Sequence, residues 1–128
     1  MISINKIRKD RSAFTLVEIM IVVAIIGLLA ALAIPGFVKA RKQSQGRRIL
    51  NDCRQMDAAI DQWALETGQT DGNQIYSTSA ATYLKTAWKT TDLLGNSYNV
   101  TVVGGTQISI SGTTKTALTG VGIDWGAY

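Results

Sequence analysis

The chain has 128 residues, enough for one domain, with 46% hydrophobic residues and a formal net charge of +4. It has no histidine and one cysteine, Cys53, which excludes an intrachain disulfide, a Ser–His or Cys–His catalytic pair and a zinc set of the usual kind. The basic excess sits in two blocks, residues 1–13 and 39–54, and from Gln55 onward three lysines stand against six carboxylates, so the charge does not describe a nucleic-acid-binding face.

Residues 1–13, MISINKIRKDRSA, are short and polar, carry Lys6, Arg8, Lys9 and Arg11, and end on the small residue Ala13. They read as a cleavable basic leader. Over residues 14–38 only Thr15, Glu18 and Pro35 interrupt an apolar run rich in Ala and Gly. As a helix this segment is about 37 Å long, enough to cross a bilayer core of roughly 30 Å. One carboxylate inside it, Glu18, costs on the order of 2.5–3.5 kcal/mol on insertion scales, and so marks a functional position that lacks a partner. Basic residues flank the run on both sides, and charge alone does not orient it.

The residues leave two processing schemes open. An ordinary secretory signal would use 16–30 as its hydrophobic region and Ala31-Leu32-Ala33 as the cleavage site, releasing a soluble secreted binding domain that starts near Ile34. Cleavage between Ala13 and Phe14 would instead retain the apolar run as a membrane helix. Glu18 favours the second scheme, because a secretory hydrophobic region gains nothing from a carboxylate near its start. Pro35 removes a backbone donor and predicts a kink or local melting near 31–36.

Beyond Pro35 the helix is expected to resume. Ile49, Cys53, Met56, Ile60 and Trp63 recur at helical spacing, with Ala59 and Ala64 widening the stripe, and Gly68 is a C-cap. Residues 39–67 therefore form an amphipathic helix whose apolar face packs on a sheet. Its basic side, 39–48, either contacts anionic lipid headgroups or faces solvent. Residues 69–79 read as a loop and 80–85 as a short helix with Tyr83 and Leu84 turned inward. Alternation over 98–103 and 106–111 around Gly104-Gly105 predicts an antiparallel hairpin with a two-residue turn, and 120–125 a third strand with Val121, Ile123 and Trp125 on one face. The fold class is α+β: a long N-terminal helix packed on a small antiparallel β-sheet. The chain divides into a leader (1–13), a membrane or filament-core helix (14–38), an amphipathic helix (39–67) and a loop, short helix and sheet (68–128). Nothing in this pattern points to an enzyme.

The segment Ala13-Phe14-Thr15-Leu16-Val17-Glu18-Ile19 resembles the class III signal of type IV pilins and type II secretion pseudopilins, and the likeness continues through Gly27 and Pro35. At the position before the cut the family commonly has Gly, and this chain has Ala13. The resemblance implies a single-pass protein of the bacterial inner membrane, cut before Phe14 and N-methylated there by a prepilin peptidase, with a periplasmic C-terminal domain. It implies that Glu18 pairs with the amino terminus of a neighbouring subunit, Phe14, and that the helix unwinds between Gly27 and Pro35. The partners it implies are further copies of the chain, other pilin-like subunits and an inner-membrane assembly platform, with no nucleic acid. The stretch Thr91-Asp92-Leu93-Leu94-Gly95-Asn96-Ser97-Tyr98 resembles the D-P-W-G-N-P-Y segment of major secretion pseudopilins, which leans the reading toward the secretion pseudopilus, with a type IV pilus as the alternative. Those relatives bind calcium in a later loop. The corresponding residues here, 112–120, contain no carboxylate, and Asp92 and Asp124 are left as candidate ligands. No metal or other cofactor is expected.

Overall fold

The structure, a computed structural model, describes residues 13–128. The leader expected over 1–13 lies outside the described residues except for Ala13. Helix α1 runs Leu16–Thr67, and is followed by α2 (Ser77–Ala80), a 3-10 turn (Ala81–Tyr83), β1 (Asn99–Val100), β2 (Ile108–Ser109) and α3 (Gly112–Ala117). The fold is α+β, a long N-terminal helix packed on a two-stranded antiparallel sheet. The chain divides into two compact units after Gly36. The first consists of the start of α1; the second, Phe37–Tyr128, holds the core.

In the second unit the helical stripe is buried as its spacing dictates. Ile49, Cys53, Met56, Ile60 and Trp63 pack with Tyr98, Val103, Ile108, Ile110 and Leu118. Each large aliphatic side chain removed from water in this way contributes about 1.5–3 kcal/mol. Gly46 extends the stripe by lacking a side chain: Ile123 packs so close that an added Cβ would lie 1.9 Å from its Cδ1. The helix ends at Gly68, whose φ of +68° is open to glycine, and Gln69 N–H donates to Ala64 O at 2.9 Å. That six-to-one bond is half of a Schellman cap and satisfies a carbonyl the helix leaves free.

The hairpin is shorter than the alternation predicts. The pairs are Asn99 with Ser109 and Val100 with Ile108, and Thr101 N–H donates to Gln107 O at 2.9 Å. This register centres on Gly104, one residue away from the pairing that a two-residue Gly104-Gly105 turn requires. Because side chains alternate faces, the shift brings apolar Val100 opposite apolar Ile108, and burial outweighs the preference for a tight turn. After Thr101 the strand changes partner: Gly72 N–H donates to Val103 O at 2.8 Å and Val103 N–H to Asn73 O at 2.9 Å.

Three further expectations are corrected. The short helix lies at 77–83, a few residues before the predicted 80–85, so Tyr83 ends it and Leu84 is already extended. Residues 112–117, read as part of a loop, form α3, whose Ser111 hydroxyl caps the Thr113 N–H at 3.3 Å. No third strand forms over 120–125. Val121 is buried and Ile123 and Trp125 are half-buried, as the alternation implies, but Gly120 and Gly122 have φ of +81° and +70° and break the extended backbone that a ladder needs.

Residues 91–98 fold into a clasp. Asp92 N–H donates to Asn96 O at 2.8 Å, and Asp92 Oδ1 accepts from the backbone N–H groups of Leu94 and Asn96 at 2.8 and 3.0 Å. Its Oδ2 accepts from the Thr114 hydroxyl, which in turn accepts from Asn96 Nδ2 at 2.9 Å, tying the clasp to α3. Thr114 is fully buried, so this polar knot sits inside the unit with its members paired.

Candidate assembly site

Ala13, Phe14 and Thr15 precede the helix without regular structure, and Ala13 and Phe14 are exposed. The Ala13–Phe14 peptide bond therefore lies in exposed chain without regular structure. Helix α1 opens with a reciprocal capping box. Glu18 N–H donates to Thr15 Oγ1 at 3.2 Å, and Thr15 N–H donates to Glu18 Oε2 at 2.9 Å. The sequence signal for this box is Thr-x-x-Glu ahead of an apolar run, and the structure gives the carboxylate a local partner that its apolar setting alone does not predict. Glu18 Oε1 has no hydrogen bond among the described residues.

From Leu16 onward the apolar side chains of the first unit point outward, Leu16 at 77% exposure and Leu32 at 75%. An 18-residue window of α1 has a mean hydropathy of 2.9 with none of it buried. A helix of this length and composition is able to cross a membrane. Gly27 and Pro35 both lie inside α1, and a Cβ added at Gly27 would meet nothing within 4 Å. The structure thus brings Phe14, Thr15 and Glu18 together at the helix start, with Gly27 and Pro35 further along the same helix.

Elsewhere the chemistry is quiet. Among the described residues no three of His, Cys, Asp or Glu gather as a metal set. Asp92 directs both oxygens to protein donors, and the exposed Asp124 accepts from Gly126 N–H at 2.9 Å. Burial, reinforced by Asp52, Asp57 and Asp92, pushes the Cys53 thiol up to about 12, so it remains protonated and is a core side chain without nucleophilic character. The Tyr98 hydroxyl is buried without a hydrogen-bond partner among the described residues.

Residues 8–34 match the family profile described as the prokaryotic N-terminal methylation motif. The chain is similar to the type IV major fimbrial protein FimA of Dichelobacter nodosus, 44% identical over 61 residues, which is 48% of this chain and 38% of that protein. It is also similar to the type II secretion system core protein G of Pseudomonas aeruginosa, 39% identical over 59 residues, covering 46% of this chain and 42% of the relative. A third relative, the type IV major pilin protein PilA of Myxococcus xanthus, is 50% identical over 42 residues, 33% of this chain and 19% of its own. The chain covers less than half the length of each of these relatives. No solved structure matches it. Through its N-terminal part, the chain carries the prokaryotic N-terminal methylation motif and is similar to type IV fimbrial proteins and type II secretion core proteins.

Proposed function

We propose that the chain is a structural filament subunit with no enzymatic activity of its own. It is inserted once in the bacterial inner membrane, cut between Ala13 and Phe14, and N-methylated at Phe14 by a prepilin peptidase. Its C-terminal unit faces the periplasm. It then polymerises with copies of itself and other pilin-like subunits on an inner-membrane assembly platform, and needs no cofactor. The observation that carries this reading is an exposed, irregular Ala13–Phe14 segment directly ahead of a capped helix whose apolar side chains have no partner among the described residues. Contiguous exposed apolar surface on this scale marks an interaction surface.

Cleavage creates an α-amino group at Phe14, and Glu18 of a neighbouring copy is its partner. Opposite charges in a low-dielectric bundle attract far more strongly than in water, and leaving either unpaired is costly, so the pairing fixes axial register. The helix melts locally between Gly27 and Pro35 in the filament, where Pro35 supplies no backbone donor. The TDLLGNSY clasp favours the pseudopilus of type II secretion. A type IV pilus is the second reading, favoured by the higher identity to fimbrial FimA than to secretion core protein G over the shared N-terminal part.

Mass spectrometry of the mature protein tests the processing: a mass starting at methylated Phe14 is expected, and a start near Ile34 overturns the reading. Glu18→Ala and Glu18→Gln should both insert and be processed. Both should assemble poorly, because glutamine keeps the capping acceptor but not the charge. Normal fibres from Glu18→Gln would reduce Glu18 to a helix cap.

A further inference from the structure

The second unit has unequal charge at its two ends. Near its start, Phe37, Arg41, Ser44 and Arg48 fall on one face of α1 and, with Leu93 from the clasp, line a groove of about 370 Å³. Phe37 and Leu93 are 71% and 43% exposed. Lys39, Arg41, Lys42, Arg47 and Arg48 crowd this end, yet the one ion pair among the described residues is Lys89 with Asp52, which includes none of them. Like charges at this spacing repel, and no ion pair among the described residues offsets them.

At the far end of α1 the signs are reversed. Leu65 is 83% exposed, Glu66 has the neutral neighbours Gln62 and Tyr83, and Asp71 follows in the next turn. The last turn of α1 has no basic residue, so Glu66 stands at the negative end of the helix dipole, where a carboxylate is unfavourable by a few tenths of a kcal/mol. An exposed leucine flanked by acids is the complement of an apolar groove flanked by arginines.

We propose that these two surfaces bind each other between copies of the chain: Leu65 of one copy seats in the Phe37–Leu93 groove of another, with Glu66 and Asp71 facing Arg41 and Arg48. This rests on the filament reading and specifies a contact within it. The two surfaces differ, so the contact is head-to-tail and open, the kind that builds a filament instead of a closed dimer. Phe37 and Leu65 are about 42 Å apart along the helix axis, which sets the axial offset of the touching copies. The contact is additional to the Phe14–Glu18 pairing, whose four-residue spacing joins copies offset by about 6 Å.

The test uses full-length chain in fibres sheared from cells, with a bismaleimide cross-linker. The buried Cys53 stays silent, so a chain with both Leu65→Cys and Leu93→Cys should give a covalent ladder of dimer, trimer and higher species, and each single variant should stay monomeric. Both substitutions are at exposed positions and leave the core intact. As a second measurement, Arg41→Glu with Arg48→Glu should reduce polymer about tenfold, and Glu66→Arg with Asp71→Arg should restore it. Fibres that form without a ladder, or dimers from either single variant, overturn the contact and leave the filament reading standing. So does a polymer loss that charge exchange does not rescue but that tracks lost binding to vesicles of anionic phospholipid, which would assign the arginines to lipid. Absence of any fibre from the unmodified chain overturns both.

Discussion

Gly46 makes the packing of the C-terminal segment on α1 directly measurable. Alanine at a helical glycine contributes about 1 kcal/mol from backbone propensity alone. Here the new Cβ would lie 1.9 Å from Ile123 Cδ1 and 3.2 Å from its Cγ1, so Ile123 must leave its rotamer and its contact, at a cost of about 1–3 kcal/mol. The steric term wins, and Gly46→Ala should destabilise the unit by about 1 kcal/mol net. Truncating Ile123→Ala removes both close atoms and leaves Leu118 Cδ1 at 3.5 Å, an ordinary contact. In that background Gly46→Ala should stabilise by about 1 kcal/mol, a coupling of about 2 kcal/mol across the cycle. Urea unfolding of the full chain in detergent micelles, followed by fluorescence of Trp63, Trp88 and Trp125, gives all four stabilities. A Gly46→Ala effect of the same sign and size in both backgrounds would refute the packing described here.

Three other outcomes use the same measurement. Thr114→Val keeps the shape but strands Asp92 Oδ2 and Asn96 Nδ2, and should cost about 2 kcal/mol, with Thr114→Ser milder. Tyr98→Phe should be neutral or stabilising by up to about 1 kcal/mol, because the hydroxyl it removes is buried without a partner. Burial, with Cys53, Asp52 and Asp92 nearby, also holds that hydroxyl above the usual tyrosine range, so its contribution is present below the ordinary value of 10.0 and is lost as pH rises beyond it; Tyr98→Phe should flatten this alkaline loss. Asp57 is raised above its ordinary 3.8 by burial, with Asp61 adding to the rise and the Tyr128 hydroxyl, 3.1 Å away, opposing it. Its contribution is therefore full below 3.8 and lost as pH rises through the raised value, and Asp57→Asn should gain on the parent as pH rises above 3.8, the opposite of a carboxylate that stabilises by an ion pair.

What the sequence revealed depended on the range of the interaction. The stripe from Ile49 to Trp63 and the stop at Gly68 were legible because helical periodicity and a left-handed glycine are local properties. The hairpin was legible in kind but not in register, since the pairing of Val100 with Ile108 is decided by a core that α1 supplies from some fifty residues earlier. Helix α3 escaped notice because Gly-Thr-Thr-Lys-Thr-Ala has weak helix propensity; the buried Thr114 and Leu118, four residues apart, and the Ser111 cap stabilise it through tertiary contacts. At the assembly site Ala13, Phe14 and Glu18 were evident as an ordered motif, whereas the role of Thr15 needed the geometry of the first turn.

The capping box also bears on how, in the proposed filament subunit, one carboxylate would serve both insertion and assembly. A fully unpaired Glu18 would resist the membrane, and a fully paired one would have nothing to offer a neighbour. Here Oε2 is engaged by Thr15 N–H at the positive end of the helix dipole, which lowers the cost of placing the charge near the start of the span by about 1 kcal/mol. Oε1 has no hydrogen bond among the described residues, and the proposed cleavage before Phe14 would remove neither of the two groups that hold the box. Under the proposed processing the groups that hold the helix start are retained, and the new feature is the N-methylated amino group of Phe14. None of this draws on the core of the second unit, whose stability comes from the stripe, the hairpin and the Asp92 knot. The chain thus separates an exposed apolar helix from a unit that packs its own core.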